Sequence, residues 1–258
     1  MNVLVSDFVV GVLMFLRIVS LFFIAPIFSN QAVPKYLRLL LALAITYIVF
    51  LTAPAKLNFD FQNNLTLLFF MGIKEIITGV IMGFMLNFVF YALSLAGYLL
   101  SREIGLMMAN MFDPSAQNQD NIMGVLFVFL GLIIFLIIGG HEYIIKSVVY
   151  SFQFIPLGKF TFSGSVLQLF IKYSAAIFVL SVKIASPLIV AFFFVHVASG
   201  IISRVSPSFQ VFFVLLPLKL GLGLFLMFLM IPVFAFSIRD ILSGYEDKLY
   251  ELLKLMAQ

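Results

Sequence analysis

Apolar residues run through this chain in long blocks separated by short polar breaks. Residues 8–25, 37–53, 65–100, 122–139, 166–200 and 209–237 each form such a block. A helix that crosses a hydrocarbon layer takes roughly 20 apolar residues, so the pattern predicts membrane-embedded helices. The blocks at 65–100 and 166–200 exceed one perpendicular span. They tilt, bend, reach beyond the bilayer or split into hairpins. Pro187, Pro217 and Pro232 fall inside the later blocks, where a missing N–H kinks a helix. The longest polar break, residues 105–121, has two unlike halves. Met107, Met108, Met111 and Phe112 are soft and apolar, whereas Asp113 to Asn121 is a turn-rich polar stretch. After Arg239 the pattern becomes amphipathic. Ile241, Leu242, Tyr245, Leu249, Leu252, Leu253 and Met256 form one helical stripe, with Asp247, Lys248, Glu251 and Lys254 off it. Such a tail either docks on a partner or lies in a membrane interface.

Charged and titratable residues interrupt the apolar blocks at Arg17, Lys74, Glu75, Lys172, Lys183, His196 and Lys219. Facing lipid at a helix centre, each of the charged ones costs about 2.5–3.5 kcal/mol. They therefore line water, pair, snorkel or meet other protein. Glu75, Gly79, Gly83 and Asn87 recur at four-residue spacing and share one helix face. The two glycines make a strip on which another helix approaches closely, with polar groups at its ends. This predicts a tight helix or subunit contact; a proton or ion relay through Glu75 is the rival reading. Lys74, adjacent to Glu75, points elsewhere. Lys172 and Lys183 are about three turns apart and point the same way.

Composition agrees with the pattern: 64% of the 258 residues are hydrophobic and 10% are charged. A soluble domain of this size needs more polar surface than that. Cysteine and tryptophan are absent while phenylalanine reaches 33. Disulfides and thiolate chemistry are thereby excluded, and only Tyr remains for an interfacial belt. A net charge of +4 points to no nucleic-acid partner. The first seven residues lack the basic start of a cleaved signal peptide, so the first apolar block is expected to be retained. Lys and Arg are spread over both sets of alternating loops, and no side collects a clear excess. Pro156, Gly158 and Gly164 mark a seam that divides residues 1–155 from a C-terminal pair of long helices, 156–238, and from the tail, 239–258.

Catalytic patterns fail one by one. His141-Glu142 begins like a zinc-protease motif, but Ile145 stands where its second histidine belongs. His196 lies in an apolar run and reads as a hydrogen-bonded packing residue. Neither a phosphate-binding loop nor a nucleophile elbow is present. The expectation is a protein that is not an enzyme and takes no cofactor or metal.

In order, the chain carries Arg17, Pro26-Ile-Phe28, Val33-Pro34, Arg38, Glu75-x-x-x-Gly79-x-x-x-Gly83, Ala96-Gly97 and Asp113-Pro114. Gly140-His141, Ile155-Pro156-x-Gly158, Ala185-x-Pro187-Leu188, Ser203-Arg204-x-x-Pro207 and Pro217-Leu218-Lys219 follow. Over residues 8–232 this series resembles the FliR family, membrane components of the bacterial flagellar protein-export gate. SctT-like relatives in injectisomes share the pattern.

The resemblance implies an all-α integral membrane protein of long kinked helices and helical hairpins, assembled in a pseudo-helical export-gate complex. Its partners would be FliP-like and FliQ-like subunits, FlhB-like and FlhA-like proteins, unfolded export substrates and membrane lipid. Residues 1–155 would be FliP-like and residues 156–238 FliQ-like. The location implied is the bacterial inner membrane, in the flagellar basal body. By the same resemblance Met107, Met108, Met111 and Phe112 form a pore plug, and Asp113 and Pro114 anchor it. Arg17, Lys172, Lys183 and Lys219 are candidate interface charges. An injectisome gate subunit is one alternative. A secondary transporter using Glu75, Lys183 or Lys219, or a scaffold without gating, are the others.

Overall fold

The computed structural model describes residues 2–26, 28–29, 33–52, 65–108, 121–205 and 211–256. Among them the regular structure is helical: α1 (Asn2–Ile24), α2 (Lys35–Thr52), α3 (Leu65–Ile104), α4 (Ile122–Ile137), α5 (Gly140–Phe154), α6 (Gly164–Val205), α7 (Val211–Ser243) and α8 (Tyr245–Met256). A short 3-10 turn, Leu106–Met108, follows α3.

The two overlong apolar blocks are single helices of 40 and 42 residues. At 1.5 Å per residue each is about 60 Å long if regular, twice the thickness of a hydrocarbon core. They do not split into hairpins because neither contains a glycine–proline break strong enough to turn the chain. Pro187 leaves the carbonyl of Lys183 without its helical N–H. The neighbouring Ser186 hydroxyl donates to that carbonyl at 2.9 Å, so α6 passes through its proline with the freed acceptor satisfied. Between α4 and α5, Gly139 takes a φ of +80° and serves as the N-cap of α5.

Packing groups the chain into two units that interleave along the sequence. The first comprises Met1–Phe88, Leu136–Ser174 and Ser243–Gln258; the second comprises Val89–Phe135 and Ala175–Leu242. In the first, α1 packs on α2 and approaches α3 at Gly79 and Gly83; its Leu13, Met14, Ile18, Leu21 and Phe22 are all buried. Helix α8 packs on α5 within that same unit. Leu249, Leu252, Leu253 and Met256 are buried, and Tyr250 meets Tyr150 with ring centroids 5.1 Å apart. The tail stripe is therefore satisfied by its own chain, unlike either expectation from sequence. In the second unit Phe127, Phe135, Phe192 and Phe234 are fully buried. There α6 and α7 run antiparallel.

Elsewhere long apolar faces stay uncovered. Leu40, Leu43 and Tyr47 on α2, Phe178, Phe193 and Phe194 on α6, and Phe225 and Phe228 on α7 are all exposed. Among the described residues, five helices are long and apolar enough to cross a membrane by length and composition. A surface of this kind belongs in lipid or against other protein.

Candidate functional site

Two polar constructions stand out in this apolar chain, one in each unit. The first is centred on Arg17, which α1 carries into the core at 1% exposure. Its Nε donates to Glu75 Oε2 at 2.6 Å. Nη1 donates to the Ser151 carbonyl at 2.9 Å and to Ser151 Oγ at 3.2 Å, and Nη2 to the Ile155 carbonyl at 3.0 Å. The guanidinium also lies 4.3 Å from the ring centroid of Phe152. Glu75 uses its other oxygen to accept the Gly158 amide at 2.7 Å. Lys74, on the next bond along, donates to the Gly158 carbonyl at 3.4 Å.

The geometry gathers at the C-terminal end of α5. The Ser151 carbonyl already accepts the Ile155 amide at 2.9 Å, and Arg17 adds a second donor to it, while the Ile155 carbonyl, one residue past the helix, takes its side-chain donor from the same planar fork. Beyond α5, Lys159 donates its amide to the Pro156 carbonyl at 3.1 Å, and Gly158 takes a φ of +72°. That conformation favours glycine, and a Cβ there would also collide with Met71. Among the described residues no buried side-chain nitrogen or oxygen lacks a hydrogen-bond partner. A buried ion pair is tolerable on those terms.

Further along the same face, a Cβ at Gly79 would run into Ser20 Oγ and the Arg17 carbonyl oxygen, and one at Gly83 would fall 2.8 Å from Ile24 Cβ. Asn87 then donates to the Ile24 and Gly83 carbonyls. Glu75, Gly79, Gly83 and Asn87 thus all face α1. Arg17, grouped by sequence with Lys172, Lys183 and Lys219 as an interface charge, lies wholly inside its unit. The other three are at the surface or near it. Lys172 is 3.9 Å from Glu251, both exposed, and Lys219 meets His196 at 2.6 Å. His196 is exposed and hydrogen-bonded rather than packed in a core.

The second construction closes the base of the polar segment at 105–121. Asn121 Oδ1 accepts from Ser101 Oγ at 3.0 Å and from the Gly124 amide at 3.0 Å, while Nδ2 donates to the Ser94 carbonyl at 2.9 Å. Asn121 is therefore both the N-cap of α4 and a tie to α3. Next to it Gly97 and Gly124 meet so closely that a Cβ on Gly97 would lie 2.5 Å from Gly124 Cα. At the other end Gly105, with a φ of +90°, donates to the Ser101 carbonyl at 3.2 Å and closes α3. Met107 follows, 37% exposed. Met111, Phe112, Asp113 and Pro114 lie outside the described residues.

Sequence reasoning missed Ser94, Ser101 and Asn121. Asparagine just before an apolar run was the available signal. Among the described residues no group of three His, Cys, Asp or Glu side chains is placed to hold a metal ion.

A family model described as "Bacterial export proteins, family 1" matches residues 8–244. The Flagellar biosynthetic protein FliR of Aquifex aeolicus (strain VF5) is 31% identical over 239 residues, covering 91% of this chain and 90% of that protein. The protein of the same name from Escherichia coli (strain K12) is 29% identical over 220 residues, 85% of this chain and 83% of its own length. That from Bacillus subtilis (strain 168) is 27% identical over 259 residues, 99% of each.

Proposed function

The chain belongs to the bacterial export proteins, family 1, as a membrane component of the flagellar export apparatus, and from that premise we propose that it is a core gate subunit of the apparatus. With FliP-like and FliQ-like subunits it forms a channel for unfolded export substrates, next to FlhB-like and FlhA-like proteins. It resides in the inner membrane, in the flagellar basal body. Residues 1–155 take the FliP-like part and residues 156–238 the FliQ-like part. It carries out no bond chemistry.

Met107, Met108, Met111 and Phe112 plug the channel at rest, with Asp113 and Pro114 as their anchor. The observation that carries this reading is the pinned base of the segment. The Ser101–Asn121 bond, at 3.0 Å, joins residues 20 apart, so the intervening chain leaves and returns at one place. Exposed Met107 stands at its start. Methionine is unbranched and polarizable, which suits a seal that repacks around a passing chain. The uncovered apolar faces of α2, α6 and α7 support assembly with other subunits and lipid.

Deleting residues 105–110 tests the plug. The complex is expected to assemble and to conduct ions when the parent complex is closed, read as single-channel current in planar bilayers. Unchanged current in a correctly assembled complex overturns the assignment.

A further inference from the structure

Within the second unit, three titratable side chains from three helices meet in a row. Lys219 of α7 places Nζ 2.6 Å from His196 Nε2 of α6. The other imidazole nitrogen, Nδ1, lies 3.8 Å from Glu103 Oε2 of α3. The helices approach closely at this level. A Cβ at Gly223 of α7 would fall 2.7 Å from Ile104 of α3 and 3.1 Å from Phe192 of α6. Glu103 stands just before Gly105, where the polar segment starts.

The hydrogen-bond inventory of these groups limits the state of the ring. A lysine ammonium has donors and no acceptor. With Lys219 charged, Nε2 at 2.6 Å from Nζ is bare and accepting. The imidazole is then neutral with its hydrogen on Nδ1, the side that faces Glu103. In this state the row sums to no net charge: ammonium, neutral ring, carboxylate.

We infer that His196 is a proton-binding site that exchanges the grip of α6 between α7 and α3. A proton added to the ring must go to Nε2. That removes the acceptor used by Lys219 and sets an imidazolium against an ammonium. The same proton turns the Nδ1–Glu103 contact into an ion pair. Protonation thus loosens α6 from α7 and tightens it on α3. The charged groups that face His196 are Lys219 from α7 and Glu103 from α3. Lys172, Lys183 and Arg204 are the charges on its own helix, all more than two turns away, and α4 carries no titratable residue. The inference stands apart from the plug reading, since it concerns contacts among α3, α6 and α7 whatever the segment does.

The chain has no cysteine of its own, so labels are placed on introduced cysteines, and the complex with unsubstituted chain gives the background to subtract. Spin labels go on Ile201→Cys of α6 with Leu224→Cys of α7, and on Ile201→Cys with Tyr98→Cys of α3, all exposed positions. Distances are read by pulsed electron resonance from about pH 7.5 to about pH 5.5, the interval in which an ordinary histidine changes charge. The α6–α7 distance is expected to lengthen or broaden on acidification while the α6–α3 distance holds, and H196Q is expected to abolish the response. Equal distances at both pH values, or a response that survives in H196Q, overturns the inference. A second measurement needs no variant of His196. In an H141Q background with ¹⁵N-labelled histidine, one imidazole remains, and its nitrogen shifts at neutral pH are expected to report the Nδ1–H tautomer. An Nε2–H tautomer overturns the inference.

Discussion

Arg17 and Glu75 lie 58 residues apart in sequence and meet at 2.6 Å, at 1% and 0% side-chain exposure. The pair is only part of the bonding. Arg17 also holds the carbonyls of Ser151 and Ile155, and Glu75 holds the Gly158 amide. Helices α1, α3 and α5 are thereby joined to the turn that follows α5.

Breaking the pair is expected to be severe. R17L or E75Q leaves a buried charge uncompensated, which costs about 3–5 kcal/mol. The readout is the fraction of chain that stays monodisperse in detergent after heating. The charge swap R17E/E75R is expected not to rescue. A glutamate at position 17 cannot donate to the Ser151 and Ile155 carbonyls, so recovery by the swap would mean that the ion pair alone matters.

Gly79→Ala is expected to destabilise by about 1–3 kcal/mol, the usual range for overpacking, because the added methyl meets the backbone of α1. Gly79→Leu is expected to block recovery of the assembled complex. Gly11→Ala is the control. Nothing lies within 4 Å of its Cβ position, and alanine is favoured over glycine in a helix by about 1 kcal/mol. Thermal melts of the three variants should rank Gly11→Ala first and Gly79→Leu last.

Asn121→Ala removes the cap of α4 and the tie to Ser94 and Ser101. Loss of such a cap costs about 1 kcal/mol. Amide exchange at Gly124 and Val125 is expected to rise several-fold, with no change on α1. Asn121→Asp keeps the acceptor for the Gly124 amide and loses the donor to the Ser94 carbonyl. Its exchange rates should fall between those of the parent and the alanine variant.

On α8, Leu253→Lys puts a charge into a site at 0% exposure, and a loss of several kcal/mol is expected. Glu251→Ala removes only exposed contacts to Lys172 and Tyr173, worth about 1 kcal/mol or less. Limited proteolysis after Ser243 should be fast in the first variant and unchanged in the second.

Much of the helix layout was legible from the apolar blocks, because hydrophobic length and periodicity are local properties of the backbone. The shared face of Glu75, Gly79, Gly83 and Asn87 was legible for the same reason. What it faced was not. Arg17 read as one stray charge among seven titratable residues in apolar stretches, since nothing in its neighbourhood along the chain names Glu75 as its partner. The tail stripe read as a surface for a partner or for a membrane interface, and α5 of the same unit packs on it. Ser101 and Asn121 were passed over because each is an ordinary polar residue until the fold brings them to 3.0 Å.

By itself, then, the sequence determined that this is an all-helical membrane chain, where its apolar helices lie, and which face of α3 accepts a close neighbour; it did not show α5, Gly140–Phe154, or that the two longest blocks are unbroken helices. Only the tertiary structure decided which helix that neighbour is and how the polar groups inside are satisfied. The reason is physical. In an apolar interior each buried donor or acceptor must find a partner wherever the fold supplies one. Arg17 finds Glu75, Ser151 and Ile155 on elements that no sequence period connects.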